Sequence, residues 1–181
     1  MYGLVNKAVE DLVVSNHGGE VWDRIRTEAG ATDAAFISMD PYPDELTFRL
    51  VGAASEVLET PVPDLLHAFG RYWMLYTARE GYADLLDASG SSFFEFVANL
   101  DGLHTRLSLA FPELRPPSFV CQQLDERTAR LEYFSERAGL QPMVVGLLQG
   151  LGERFGLVIE VELVEARGET GDCDVFEVRI V

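Results

Sequence analysis

The chain is poor in cysteine: Cys121 and Cys173 are its two thiols in 181 residues, far apart and in no Cys-x-x-Cys pair. That excludes a four-cysteine zinc knot and fits a reducing, cytoplasmic compartment. Positive charge is scarce too, with 14 Lys and Arg against 30 Asp and Glu, a formal net charge of -16. Nucleic acids and anionic membranes need clustered cations, so neither is expected as a partner. No stretch approaches the roughly 20 apolar residues of a membrane span. Asn6, Lys7, Glu10 and Asp11 interrupt the apolar residues at the N-terminus, unlike a signal peptide. Catalytic signatures are missing as well: there is no Gly-x-Ser-x-Gly, no His-Glu-x-x-His and no P-loop. Gly146, Gly150 and Gly152 are in the wrong order for a dinucleotide fingerprint and follow no predicted strand. The three histidines, His17, His67 and His104, make no metal-ligand spacing.

What remains is a chain that is 48% hydrophobic and 10% aromatic, enough for one well-buried core. Its first two thirds carry a helical period. Residues 2–16 set Leu4, Val5, Ala8, Leu12 and Val13 on one side, and a second helix is predicted over 20–29 around Trp22 and Ile25. Further helices are predicted over about 44–59, from Pro61 through Tyr76, over 82–88, and from a Ser91 or Ser92 cap to Ala110. After Pro116-Pro117 the character changes. Strands are predicted over Ser118–Leu124, Ala129–Glu136, Leu157–Val164 and Val175–Val181, with a helix over Pro142–Phe155 and a hairpin loop at Ala166–Asp174. The fold class is α+β: an N-terminal helical lobe, then a C-terminal lobe with a four-stranded antiparallel sheet and a helix. The ligand crevice is expected where the lobes meet near Pro116.

Two features carry chemistry. His104 lies four residues after Leu100 and three before Leu107, so it faces inward with the apolar stripe of its helix. There it is either a core histidine bonded to an acceptor, or a neutral imidazole whose Nε2 binds a metal while Nδ1–H is held. Tyr133, Ser135 and Arg137 alternate in Glu-Tyr-Phe-Ser-Glu-Arg (132–137). On a strand they share one side, offering two hydroxyls and a guanidinium to carboxylates. The bland alternative is a solvated strand face with the arginine paired to Glu132 or Glu136.

Together with the start Met-Tyr-Gly-Leu-Val-Asn-Lys-Ala, Phe69-Gly70, Asn-Leu-Asp-Gly-Leu-His (99–104), Arg115-Pro116-Pro117-Ser118-Phe119, Gly139-Leu140-Gln141 and Val-Gly-Leu-Leu (145–148), these residues resemble the haem-nitric oxide/oxygen-binding (H-NOX) family over nearly the whole chain. The likeness is to its stand-alone bacterial type and to the sensor domain of soluble guanylate cyclase. The resemblance implies one haem domain over 1–181, with a helical sub-lobe at about 1–60, a haem-bearing lobe at about 61–181 and the haem between them. It implies haem b as cofactor, held non-covalently because Cys-x-x-Cys-His is absent. His104 becomes the proximal iron ligand, and Tyr133, Ser135 and Arg137 the propionate clamp. Pro117 matches the proline that packs on the haem and bends it, and Cys121 falls where some members carry a thiol. Val5, Val9, Trp73 and Met143 resemble the distal wall. Oxygen-binding members place a tyrosine where Met143 stands, so the implied ligands are nitric oxide and carbon monoxide.

The implied function is sensing, not catalysis. The gas binds a five-coordinate ferrous haem, the bond to His104 breaks and the lobes shift, His104 being expected on the helical lobe and the clamp on the sheet lobe. The signal passes to a histidine kinase or a cyclic-di-GMP signalling protein. An oxygen-binding haem sensor and a haem enzyme are the alternative readings.

Overall fold

The structure is a computed structural model describing residues 1–32, 35–168 and 171–181. The chain divides into two compact units, Met1–Phe69 and Gly70–Val181.

In the first unit, helices α1 (Gly3–His17), α2 (Gly19–Glu28) and α3 (Asp44–Leu58) precede α4 (Val62–Thr77), inside which the boundary falls. Gly18 takes φ +88, a left-handed value that glycine adopts without steric cost, and so turns α1 directly into α2. The apolar stripes meet inside: Ala8, Val9 and Val13 of α1, Trp22 and Ile25 of α2, and Leu50, Ala53 and Ala54 of α3 are all buried. Asp44 and Glu45 open α3 with negative charge against the positive end of its dipole.

In the second unit, α4 passes into a wide turn at Ala78–Tyr82, where Gly81 has φ +92. Then come α5 (Ala83–Asp87) and α6 (Phe93–Ala110), strands β1 (Ser118–Gln123) and β2 (Thr128–Phe134), helix α7 (Gln141–Arg154), and strands β3 (Ile159–Glu165) and β4 (Asp174–Ile180). The strands form one antiparallel sheet in the order β1-β2-β4-β3, so β1 and β3 are its edges. Alternation selects the inner face: Ala129, Leu131 and Tyr133 of β2 are buried, as are Phe176 and Val178 of β4. Phe93, Phe96 and Val97 of α6 and Val144, Leu148 and Leu151 of α7 complete this core. Each such large side chain contributes about 1.5–3 kcal/mol over leaving it in water. Gly70 lets α4 approach α7, because a Cβ there would lie 2.2 Å from the Met143 carbonyl oxygen.

The predicted element order and the antiparallel four-stranded sheet are found. Two expectations change. The second strand ends at Phe134, short of Glu136. Its neighbours end there too: Phe134 pairs with Ser118, the first residue of β1, and Tyr133 with Asp174, the first of β4. With no ladder left to join, Ser135 Oγ accepts the Arg137 N–H at 3.1 Å and turns the chain away. Secondly, α6 belongs to the same compact unit as the sheet, so His104 and the expected clamp are not divided between the two units. Part of the predicted Ala166–Asp174 hairpin loop, residues 169–170, lies outside the described residues.

Candidate functional site

Helix α6 starts from a firm cap. Ser92 is its N-cap, with Oγ accepting the Glu95 N–H at 3.4 Å, while the Glu95 carboxylate accepts from Ser91 N–H (2.8 Å) and Ser91 Oγ–H (2.6 Å). This is a capping box shifted by one residue, and it fixes the start of the helix three turns before His104. At the other end α6 is tied to the start of β1 at two points. Ser118 Oγ donates to Asp101 Oδ1 at 2.6 Å, and His104 Nδ1 lies 2.9 Å from the Pro117 carbonyl oxygen.

The second contact settles the protonation of the imidazole. A carbonyl oxygen only accepts, so Nδ1 carries the proton and Nε2 keeps its lone pair in the neutral ring. Burial pushes the His104 pKa below the ordinary histidine value, outweighing the opposing pull of the Pro117 bond and of Asp101. A neutral imidazole with Nδ1–H held and Nε2 left as a base is what a haem iron takes as an axial ligand. The donor set fits the group.

From His104 a row of rings leads across the sheet. The imidazole is 5.8 Å from the Phe119 ring, Phe119 is 5.3 Å from Tyr133, and Tyr133 is 6.5 Å from Phe176. Tyr133 is 3% exposed, and burial raises its phenol pKa against the opposing effects of a Ser135 hydrogen bond and the charges of Arg167 and Arg137. Ser135 and Arg137 stand beyond the end of β2, so a strand's alternation does not set them on one face with Tyr133. The Arg137 guanidinium donates to the Arg115 carbonyl at 2.7 Å.

The remaining expected site residues are distributed as follows. Pro117 immediately precedes β1 and supplies the carbonyl for His104. Trp73 is on α4, stacked on Tyr76 at 6.3 Å, and Met143 is in the first turn of α7. Val5 and Val9 are one turn apart on α1, in the first unit. Burial raises the Cys121 pKa, the behaviour of a packed thiol and not of a reactive thiolate. Sequence reasoning assigned no role to Asp101, Ser118, Arg167 and Asp174. Asp101 lies one turn before His104, a spacing that would have flagged it; the other three act through long-range contacts. No cluster of His, Cys, Asp and Glu able to hold a metal ion occurs among the described residues. No helix among them is long and apolar enough to cross a membrane.

A helix-borne histidine whose Nδ1–H is held and whose Nε2 is left basic suits a haem-binding class of protein. The family model described as haem-NO-binding matches residues 2–163, and the chain belongs to that family, a family of sensor domains. Among solved structures, an H-NOX protein from S. oneidensis in the Fe(II)NO ligation state superposes with a TM-score of 0.90 at 23% identity, covering 100% of this chain and 99% of that one. An unliganded Fe(II) H-NOX protein from K. algicida gives 0.85 at 23% identity, covering 100% and 97%. Among curated proteins, soluble guanylate cyclase gcy-33 of Caenorhabditis elegans is 30% identical over 155 residues, 86% of this chain and 16% of that protein. Soluble guanylate cyclase gcy-31 of the same organism is 28% identical over 166 residues, 91% of this chain and 24% of that protein. The chain thus spans about a quarter or less of the length of these cyclases.

Proposed function

We propose that this chain is a cytoplasmic haem-based sensor of nitric oxide, which also takes carbon monoxide and carries out no catalysis of its own. The reading assigns one haem domain to residues 1–181, with sub-lobes at about 1–60 and 61–181. Haem b, once bound, supplies the ferrous iron that takes up the gas. His104 holds that iron through Nε2. Tyr133, Ser135 and Arg137 hold the propionates, since two hydroxyls and a guanidinium offset the cost of carboxylates away from bulk water. Pro117 would pack on the ring, and Trp73 and Met143 would line its gas side. The single observation that carries the reading is the 2.9 Å contact of His104 Nδ1 with Pro117 O, which leaves Nε2 as the basic nitrogen.

Selectivity rests on Met143. Bound oxygen gains from a hydrogen-bond donor, and a thioether donates none, whereas nitric oxide needs no such help. His104 is the releasable tether and the clamp the fixed one. Release of the His104 tether would shift the protein between two states for a separate histidine kinase or cyclic-di-GMP signalling protein to read.

Absorption spectra of the reduced protein test this. Nitric oxide and carbon monoxide are each expected to shift the Soret band, while air gives oxidation without a stable oxygenated spectrum. A persistent oxygenated spectrum would reverse the gas assignment, and failure of the protein to take up haem would end the reading altogether.

A further inference from the structure

We infer that Arg167 is the positioning residue of the propionate clamp: its guanidinium spans the main-chain carbonyls of Ser135 and Arg137 and sets the bend from which the clamp side chains project. The inference rests on the haem reading above. It starts from a difficulty of the local backbone. Beyond Phe134 the chain has left the sheet, so its carbonyls need donors from elsewhere. Arg167 supplies them, with one terminal nitrogen 2.5 Å from Ser135 O and the other 2.7 Å from Arg137 O. The planar fork of arginine suits two acceptors two residues apart, which a lysine ammonium cannot bridge in the same way.

Arg167 is itself held. Its backbone N–H donates to Asp174 Oδ1 at 3.0 Å, and Gln141 Nε2 donates to the same oxygen at 3.1 Å. Asp174 is 1% exposed at the start of β4, so the arm bearing Arg167 is pinned to the sheet and to the first residue of α7. The Arg167 charge also opposes the burial that raises the Tyr133 phenol pKa. Residue 167 lies beyond the segment 2–163 matched by the family model, so the assignment comes from this chain's own contacts.

The test follows haem transfer from the loaded full chain to excess apomyoglobin. Arg167→Ala is expected to lose haem about tenfold faster, the equivalent of one hydrogen bond. Arg167→Lys is expected to stay near the alanine variant; full recovery by lysine would overturn the two-carbonyl role. Combined with Arg137→Ala, the Arg167→Ala effect is expected to shrink, because both act through one clamp. Independent, multiplying effects would overturn the inference. The propionate bending band in the resonance Raman spectrum is expected to move in Arg167→Ala, as a general loss of stability would not require, and an unmoved band counts against the proposal. If Arg137→Ala speeds haem loss and Arg167→Ala does not, the Arg167 role alone fails. If neither does, the clamp reading itself fails.

Discussion

His104 of α6 and Pro117, the residue before β1, are joined by a 2.9 Å contact between ring nitrogen and main-chain carbonyl, so the helix and the sheet share one hydrogen bond at the imidazole. A backbone carbonyl cannot be altered by substituting its own side chain, so the natural test removes the imidazole. His104→Gly is expected to abolish haem loading and to regain it when imidazole is added to the growth medium. Ordinary loading with an unchanged spectrum, without imidazole, would refute the ligand assignment.

The cap of α6 gives a pH prediction. The Ser91 hydroxyl and N–H hold the Glu95 carboxyl below its ordinary value. A depressed carboxylate adds stability that is fully present above the unfolded value and is lost as pH falls through the lower folded one. Glu95→Gln is therefore expected to melt lower than the parent at pH 7, with the gap closing as the pH falls below about 4. A gap that widens on acidification would contradict the capping role.

Gly70→Ala probes the approach of α4 to α7. The added methyl would meet the Met143 carbonyl oxygen at 2.2 Å and the Leu147 nitrogen at 2.8 Å, both backbone atoms that cannot rotate away. Overpacking of this kind costs about 1–3 kcal/mol. Denaturant unfolding is expected to show a lowered midpoint, and an unchanged one would mean the helices separate freely.

Within the first unit, Thr47 Oγ1 donates to Asn6 Oδ1 at 2.7 Å, and both residues are buried. Thr47→Val keeps the shape and removes the donor, leaving the asparagine oxygen unpaired. The expected cost is about 1–3 kcal/mol, read by chemical denaturation.

Much of this could be read from the chain alone. The helical period of residues 2–16, the Gly18-Gly19 break, the serine cap before Phe93 and the Pro116-Pro117 punctuation all act within a few residues, and they reappear as α1, α2, α6 and the start of β1. His104 could be placed on the inner stripe of α6 for the same reason. The bend at Ser135 could not be foreseen, because it depends on where β1 and β4 begin, one strand set by prolines 19 and 18 residues earlier and the other reached only 39 residues later. The local alternation therefore predicted one strand face where the structure has a turn. Arg167 was invisible for a related reason. An arginine in a Gly- and Asp-rich loop looks like any solvated charge until the fold brings the Ser135 and Arg137 carbonyls to it.

The two edges of the sheet are unequal. Strand β3 carries Glu160, Glu162 and Glu165, whereas β1, Ser118–Gln123, carries no charge. An unpaired edge is a template for strands of other molecules, and charge is the usual guard against it. Two copies meeting through β1 would form a closed pair related by a twofold axis. Further growth would have to use β3, setting glutamates against another chain whose own net charge is -16. Misassembly of this protein is accordingly expected to halt at pairs and not to run on into fibres.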